Sequence, residues 1–253
     1  MRIYVVRPSF LKKVESKTQP IFIVIDTFRA TTSLSVLKKN RVNQFFIVKN
    51  KQEAFFLKEN YCLDCLLIGE ERGFKIEGFD YGNTPSIFYN EEFSSEKVIF
   101  TSSNGAKTLL LLEPENYVYL AALVNLTCVA QTVSLLAKEI NSEIIIIPVG
   151  IHEKSSVYSI EDWITATLLA EKIKEITSYQ IAVKDDFWVK TQTIFQKETN
   201  LEYLLFNSHH GQYLRKIGYD EDVIFSTSTD KIKNFLKVKK WHNFNGLKFV
   251  ELE

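Results

Sequence analysis

Asp26 and Arg29 stand at the end of the run Ile21-Phe22-Ile23-Val24-Ile25-Asp26-Thr27-Phe28-Arg29-Ala30-Thr31-Thr32-Ser33. The five apolar residues read as a buried strand, and the hydroxyl-rich segment after Arg29 reads as a helix start. A carboxylate suits a hard metal ion and a guanidinium suits a phosphoryl group, so two groups fit for phosphate-ester chemistry leave a sheet at one edge. An acid directly after five apolar residues needs a partner if it is buried. Thr31 and Thr32, in contrast, could be satisfied simply as helix caps. Phe100-Thr101-Ser102-Ser103-Asn104-Gly105-Ala106-Lys107 has the same form: a strand end, small hydroxyl residues, Asn-Gly and a helix. Its Ser103 or Asn104 reads either as an N-cap, worth about 1 kcal/mol, or as part of an anion site built on backbone N–H groups.

The segment Gly69 to Pro85 holds four of the nine glycines, with four acids and two bases. Scarce glycine concentrated beside charge points to a loop folded over a ligand, the alternative being a long charged hairpin. Ser159-Ile160-Glu161-Asp162 opens a further helix, where acids also meet the helix dipole favourably. Asp26, Glu70, Glu71, Asp80, Glu161 and Asp162 are therefore candidate oxygen ligands, and hard carboxylates without a histidine or thiolate cluster favour magnesium over zinc. Cys62 and Cys65 form one two-residue-spaced pair with no second pair, which predicts two ordinary thiols rather than a zinc site. In Ser208-His209-His210-Gly211 a histidine serves as a proton donor or as a helix-end or surface residue.

These residues need a frame to hold them. Strand-like runs recur at Ile3 to Val6, Ile21 to Ile25, Gln44 to Val48, Cys65 to Ile68, Val98 to Phe100, Tyr117 to Leu120 and Ile144 to Ile147. Helical periodicity fills the gaps at Ala30 to Lys39, Lys51 to Glu59, Asn104 to Leu112, Leu126 to Glu139 and Ile160 to Ile176. That alternation predicts an α/β fold, a three-layer α/β/α sandwich with a mixed, largely parallel sheet. A mainly helical insertion is expected near 184–217, with helices at Asp185 to Gln196, Asn200 to Phe206 and His209 to Lys216. Strands at Val223 to Phe225 and Leu247 to Leu252 are expected to return to the sheet. No repeat, low-complexity tract or proline-rich linker divides the 253 residues, so one domain over 1–253 is expected.

Lysine plus arginine equal aspartate plus glutamate at 31 each. Without a basic footprint, neither nucleic acid nor an anionic membrane is an expected partner. Three cysteines are too few for a disulfide framework, and no apolar run approaches a membrane span, so a soluble cytoplasmic protein is expected. Its expected partner is a small anionic phosphorylated substrate, and the oligomeric state is open between monomer and homodimer.

Two segments carry a family resemblance. Ile25-Asp26-Thr27-Phe28-Arg29-Ala30-Thr31-Thr32 is similar to an Asp-x-x-Arg-Ala-Thr-Thr element, and Gly78-Phe79-Asp80-Tyr81-Gly82-Asn83-Thr84-Pro85 to a Gly-Phe-Asp-x-Gly-Asn-Ser-Pro element, of the 2-phosphosulfolactate phosphatases associated with coenzyme M biosynthesis. Ser103-Asn104-Gly105, Asn125, Glu161-Asp162 and His209-His210 add support. The resemblance implies a magnesium-dependent phosphatase acting on phosphate esters of 2-hydroxycarboxylic acids. On that reading Asp26, Arg29 and Asp80 are catalytic; Thr31, Thr32, Asn83, Asn104, Gly105 and His210 bind substrate; and Asp26, Glu70, Glu71, Glu161 and Asp162 surround Mg2+. Amides of Thr31, Thr32, Asn104 and Gly105 would join Arg29 on the phosphoryl oxygens, and the nucleophile is either a metal-activated water or Asp26 itself.

The chain departs from the family pattern at Ala106, where a hydroxyl is expected, and at Trp163, where an acid is expected. Those two positions favour a second reading, a non-catalytic phospho-hydroxy-acid binding or sensor protein. Haloacid-dehalogenase-type phosphatases carry a second aspartate where this chain has Phe28. A Rossmann nucleotide site would need a Gly-x-Gly-x-x-Gly turn that is not present.

Overall fold

Ile21, Ile23 and Ile25 face one core while Phe22 and Val24 face another, the two-residue alternation of a strand buried on both sides. The same logic runs through the molecule. The computed structural model describes residues 1–93, 96–150, 158–183 and 185–253. The chain begins with β1 (Arg2–Val5), β2 (Ile21–Ile25), α1 (Ala30–Lys39), β3 (Gln44–Ile47), α2 (Lys51–Asn60), β4 (Leu66–Glu71) and β5 (Phe74–Lys75). It continues with α3 (Pro85–Asn90), β6 (Lys97–Thr101), α4 (Gly105–Leu110), β7 (Val118–Ala121), α5 (Leu126–Glu139), β8 (Ile144–Pro148), α6 (Ile160–Thr177) and β9 (Gln180–Ala182). Four helices follow, α7 (Asp186–Lys197), α8 (Leu201–Phe206), α9 (His209–Lys216) and α10 (Asp220–Thr227), and the chain closes on the hairpin β10 (Leu236–Phe244) and β11 (Leu247–Leu252). The expected helical insertion corresponds to α7, α8 and α9; residue 184, at its start, lies outside the described residues.

The strands form one sheet in the order β5-β4-β6-β3-β11-β10-β7-β2-β8-β1-β9. β4, β6 and β3 run parallel, as do β7, β2, β8, β1 and β9. The antiparallel hairpin β10–β11 joins these two half-sheets, pairing with β7 on one side and β3 on the other. One helical layer, α1, α3, α4 and α10, packs on one face around Leu34, Leu37, Phe88, Leu109 and Phe225. On the other face α5 and α6 cover one half-sheet, and α2 covers its neighbour. This is the mixed, largely parallel α/β/α sandwich expected.

Two expectations need correction, and one strand was not foreseen. Val223 to Phe225 is not a strand but the middle of α10, where Asp220, Glu221 and Asp222 fill the first turn and meet the helix dipole. The sheet instead recruits β10, whose lysine-rich exposed face hides the alternation. Its signal was Asn245-Gly246, both at positive φ (51° and 85°), the pairing a two-residue hairpin turn demands. Cys62 and Cys65 are joined as a disulfide rather than two thiols, with Cα atoms 5.4 Å apart, between the end of α2 and the start of β4.

The order of the strands has a consequence for function. β6 and β2 are five places apart, about 24 Å in a flat sheet at the usual spacing. Yet Gly105, just past the end of β6, abuts Asp26 at the end of β2. The half-sheets therefore fold toward each other over α1 and α4, with a register shift between Val238 and Lys240 in β10 at the join. A bulge of this kind bends a strand and increases its twist. The carboxyl ends of β2, β4 and β6 thereby face one cleft.

Candidate active site

The cleft has a volume of about 640 Å³ and opens at those carboxyl ends, where ligands gather in open α/β sheets. Asp26, Arg29, Glu70, Glu71, Asn83, Asn104 and His210 all border it. Asp26 is 8% exposed. Its backbone is tied to the first turn of α1, because the Thr31 hydroxyl donates to the Asp26 carbonyl at 2.8 Å and accepts from the Asp26 amide at 3.1 Å. Oδ1 accepts only a long bond from the Ala30 amide, 3.4 Å. Oδ2 faces Gly105 so closely that a Cβ there would lie 2.6 Å away. Glycine at 105 is thus a requirement of the Asp26 carboxylate. The Phe28–Arg29 peptide in this turn is cis.

Glu161 and Asp162 open α6 below the same strand ends, with opposite fates. Asp162 accepts the Thr27 amide at 2.7 Å on Oδ1 and the Gly150 amide at 3.0 Å on Oδ2, so it stitches the ends of β2 and β8 together. Glu161 accepts the Ser159 hydroxyl and His210 Nδ1 on Oε1, at 2.5 and 2.7 Å, while its buried Oε2 has no hydrogen-bond partner. Glu70 is committed like Asp162: Oε1 accepts the Ser103 amide at 2.7 Å, and Oε2 accepts the Gly73 amide and the Ser103 hydroxyl. Glu71 lies at the rim, 3.7 Å from Lys51.

The charges in this cluster are interdependent. Burial pushes the Asp26 carboxyl up to about 6; His210 opposes the rise, and Glu70 and Glu161 add to it. Asp162 is raised well above the carboxylate range by burial and by its neighbours Glu161 and Asp26. Burial would lower His210, but the bond to Glu161 and the charges of Glu161 and Asp26 raise it above the usual imidazole value. Glu161, conversely, is held low despite its burial by the bond to His210. His210 is thus biased toward its protonated form by its bond to Glu161 and by the charge of Asp26.

Arg29 is 2% exposed. Nη1 donates to Asp222 Oδ2 at 2.7 Å, Nη2 donates to the Gly73 carbonyl at 2.7 Å, and the guanidinium lies 4.0 Å from the centre of the Tyr219 ring. Asp222 in turn accepts the amide and hydroxyl of Ser86 on Oδ1, so one buried ion pair ties α1 to α3, α10 and the glycine-rich loop. No pattern in the sequence pointed to Asp222, which stands directly before the residues expected to form a strand and enters the first turn of α10 only in the fold.

Several expected residues stand elsewhere. Asp80 is exposed, and its Oδ2 accepts the Leu67 amide near the start of β4, the end away from Glu70; it does not border the cleft. The Thr31 hydroxyl serves Asp26, its amide donates to the Asp26 carbonyl, and the Thr32 hydroxyl donates to the Thr27 carbonyl, so these groups hold the turn rather than face a ligand. Asn83 is buried at the cleft with its Oδ1 unpartnered. Ser103 holds Glu70, while the Ser102 hydroxyl accepts the Ala106 amide, so Ser102 closes the start of α4. Lys107, Arg72 and Tyr213 also border the cleft.

Neither departure from the family pattern touches the cleft. Ala106, in the first turn of α4, packs in the core with Ala30 and Leu34 of α1. Trp163 is 1% exposed and packs edge-on against Phe187, 5.8 Å between ring centres. Neither substitution therefore takes a polar group away from the cleft lining.

The sequence profile of the family described as "2-phosphosulpholactate phosphatase" matches residues 7–240. A protein of Caldanaerobacter subterraneus subsp. tengcongensis named "Probable 2-phosphosulfolactate phosphatase" is 31% identical over 219 residues, covering 86% of this chain and 87% of its own. The "2-phosphosulfolactate phosphatase" of Methanocaldococcus jannaschii is 29% identical over 225 residues, 86% of this chain and 88% of its own. No helix among the described residues is long and apolar enough to cross a membrane. By profile and by relatives, the chain belongs to the 2-phosphosulfolactate phosphatase family and is a phosphoric monoester hydrolase.

Proposed function

We propose that this chain hydrolyses the phosphate monoester of a 2-hydroxycarboxylic acid, 2-phospho-3-sulfolactate, to 3-sulfolactate and inorganic phosphate, with Mg2+ as cofactor. The observation that carries this reading is the set of oxygens left uncommitted around the Glu161–His210 pair: Asp26 Oδ2, with no hydrogen bond among the described residues, and the buried, unpartnered Glu161 Oε2.

These donors fit magnesium. A buried carboxylate oxygen without a partner is costly unless a cation satisfies it. Among the described residues, no three acidic or histidine ligand atoms of the cleft gather within 4.8 Å of one another; the one such cluster is Cys62, Asp64 and Cys65, where the disulfide removes the thiolates. Mg2+ characteristically takes one or two carboxylates and completes its shell with water and substrate phosphate. Asp26 and Glu161 would hold it, and Asp162 and Glu70, both fully hydrogen-bonded, would not. When bound, the ion supplies charge neutralisation at the phosphoryl oxygens.

The remaining work falls to the chain. Lys107 and the Asn104–Gly105 turn border the place where the phosphoryl group would lie beside Asp26. His210, kept protonated by Glu161 with Nδ1 as donor, has Nε2–H left to pass a proton to the departing alkoxide oxygen, a poor leaving group without it. The nucleophile is a water or Asp26 itself, and mass spectrometry of rapidly quenched turnover, searched for a phosphorylated aspartate, separates the two. The decisive assay measures phosphate release from phosphosulfolactate, phospholactate and phosphoglycerates with Mg2+ and with chelator. Release that is independent of Mg2+, or absent for every 2-phosphohydroxy acid, would sink this reading, as would near-normal turnover by Asp26→Asn. A cytoplasmic location belongs to the same proposal and is tested by fractionation; the oligomeric state, open between monomer and homodimer, is read by light scattering.

A further inference from the structure

Two arginines border the cleft, and they are built for different tasks. Arg29 is buried, its charge met by Asp222, both Nη groups engaged and one face stacked on Tyr219. It has little charge or surface left to offer a ligand. Arg72 is exposed, and among the described residues its guanidinium makes no ion pair.

The backbone of Arg72, however, is among the most completely held in the molecule. Arg72 has φ 53° and Gly73 φ 85°, the left-handed region that a non-glycine residue occupies at a cost. Each polar backbone group of this pair is bound by a side chain. The Arg72 amide donates to Ser103 Oγ at 3.0 Å, and the Arg72 carbonyl accepts from the Tyr213 hydroxyl at 2.8 Å. The Gly73 amide donates to Glu70 Oε2 at 2.6 Å, and the Gly73 carbonyl accepts from Arg29 at 2.7 Å. Four side chains from distinct parts of the fold thus fix one dipeptide, while the guanidinium at this cleft-lining position is left unengaged among the described residues. Pre-organised support of an uncommitted cation is the pattern of a binding group.

We propose that Arg72 is a specificity-determining residue of this cleft: its guanidinium binds the second oxyanion of the substrate, the carboxylate or sulfonate carried in addition to the phosphate. The place follows from the neighbours. The phosphoryl group belongs beside Asp26, Gly105 and His210, whereas Arg72 is held at the rim, where the Tyr213 hydroxyl reaches its carbonyl from the helix that carries His210. Glu70, Ser103, Tyr213 and Arg29 then act as positioning residues for Arg72. This inference rests on the function proposed above, and deepens it by naming the group that distinguishes an acid-bearing phosphate ester from a plain one.

The test uses calorimetry with the two products as separate probes. For Arg72→Ala, the affinity for 3-sulfolactate falls roughly tenfold or more, as expected for loss of a charge-assisted contact, and the affinity for inorganic phosphate stays within about threefold of wild type. Arg72→Lys restores part of the loss, and Tyr213→Phe shifts sulfolactate binding in the same direction by a smaller factor. Lactate and 2-hydroxyethanesulfonate, compared in the same way, tell whether the carboxylate or the sulfonate is the partner. Equal loss of both products, loss of phosphate alone, no loss of either, or a wild-type protein that binds neither overturns the assignment. Phosphate release from phosphosulfolactate is measured alongside. Its absence in a wild-type protein that still binds sulfolactate through Arg72 refutes the catalytic reading and leaves this one standing.

Discussion

Glu161 Oε1 and His210 Nδ1 lie 2.7 Å apart, joining the first turn of α6 to the first turn of α9. The contact decides the charge state of the cleft. Burial alone would drive the histidine neutral, and the glutamate reverses that.

His210 should therefore lose its raised pKa when the glutamate is neutralised. In metal-free protein, Glu161→Gln is expected to bring the His210 titration down to the usual imidazole range or below it, read by NMR of the ring. The sign for stability follows. A folded-state pKa raised above the unfolded value stabilises fully below the unfolded pKa, and that stabilisation is lost as pH rises through the folded one. Denaturant unfolding of the metal-free wild type should show this loss as pH rises past the ordinary imidazole value, and the variant should not. An unchanged His210 titration would contradict the pairing.

Gly105→Ala tests the approach of α4 to Asp26. The added Cβ would lie 2.6 Å from Asp26 Oδ2 and 3.1 Å from the Ala30 Cβ, so the carboxylate must move. A displacement of about 1 Å can cost roughly 100-fold in rate, and kcat is expected to fall on that order. Thermal unfolding should move only a few degrees, because the contact is with a side-chain end. Unimpaired turnover would mean that Asp26 need not sit where it does.

Asp162 and Glu161 are adjacent acids with separable roles. Asp162→Asn places an NH2 group against one of two backbone N–H donors and should destabilise the protein by about 1–3 kcal/mol, with Mg2+ affinity little altered in calorimetry. Glu161→Gln should do the reverse, weakening Mg2+ by tenfold or more at a smaller cost in stability. If Asp162→Asn weakens Mg2+ as much as Glu161→Gln does, the division between structural and ligand acid is wrong.

Glu251, far from the cleft, holds the central hairpin. Burial would raise its carboxyl, but bonds from Lys239, Gln44 and His242, at 2.9 Å each, keep it below the usual range. A depressed carboxyl stabilises above its unfolded pKa and ceases to do so as pH falls through the folded value. Urea unfolding at neutral pH and near pH 3 should therefore show a larger acid loss for wild type than for Glu251→Gln. Equal losses would show that this cluster does not contribute to the acid sensitivity.

Much of the frame was legible because its causes are local. Ile21 to Ile25 alternates between two cores, α1 and α5 follow from apolar spacing alone, and Asp26 stands at the end of a buried strand with no local partner that could explain it. β10 was not legible, because its exposed face is lysine-rich and its burial depends on β7 and β11. α10 read as a strand because Val223 and Phe225 are apolar at two-residue spacing, although they are also compatible with one face of a short helix.

The site divides along the same line. Residue type and spacing were enough to select Asp26, Glu161 and His210, since a strand-end acid, a helix-start acid and a histidine pair each carry their chemistry with them. Which oxygens are left over was decided only when distant segments met. Backbone amides take both oxygens of Asp162; Ser103 and Gly73 take both of Glu70; Asp222 neutralises Arg29; and Asp80 turns to the far end of β4. Hydrogen-bond capacity is a property of the folded neighbourhood and not of the residue. The sequence by itself therefore determined the chemistry on offer, and the folding of one half-sheet toward the other determined which groups remain free to perform it.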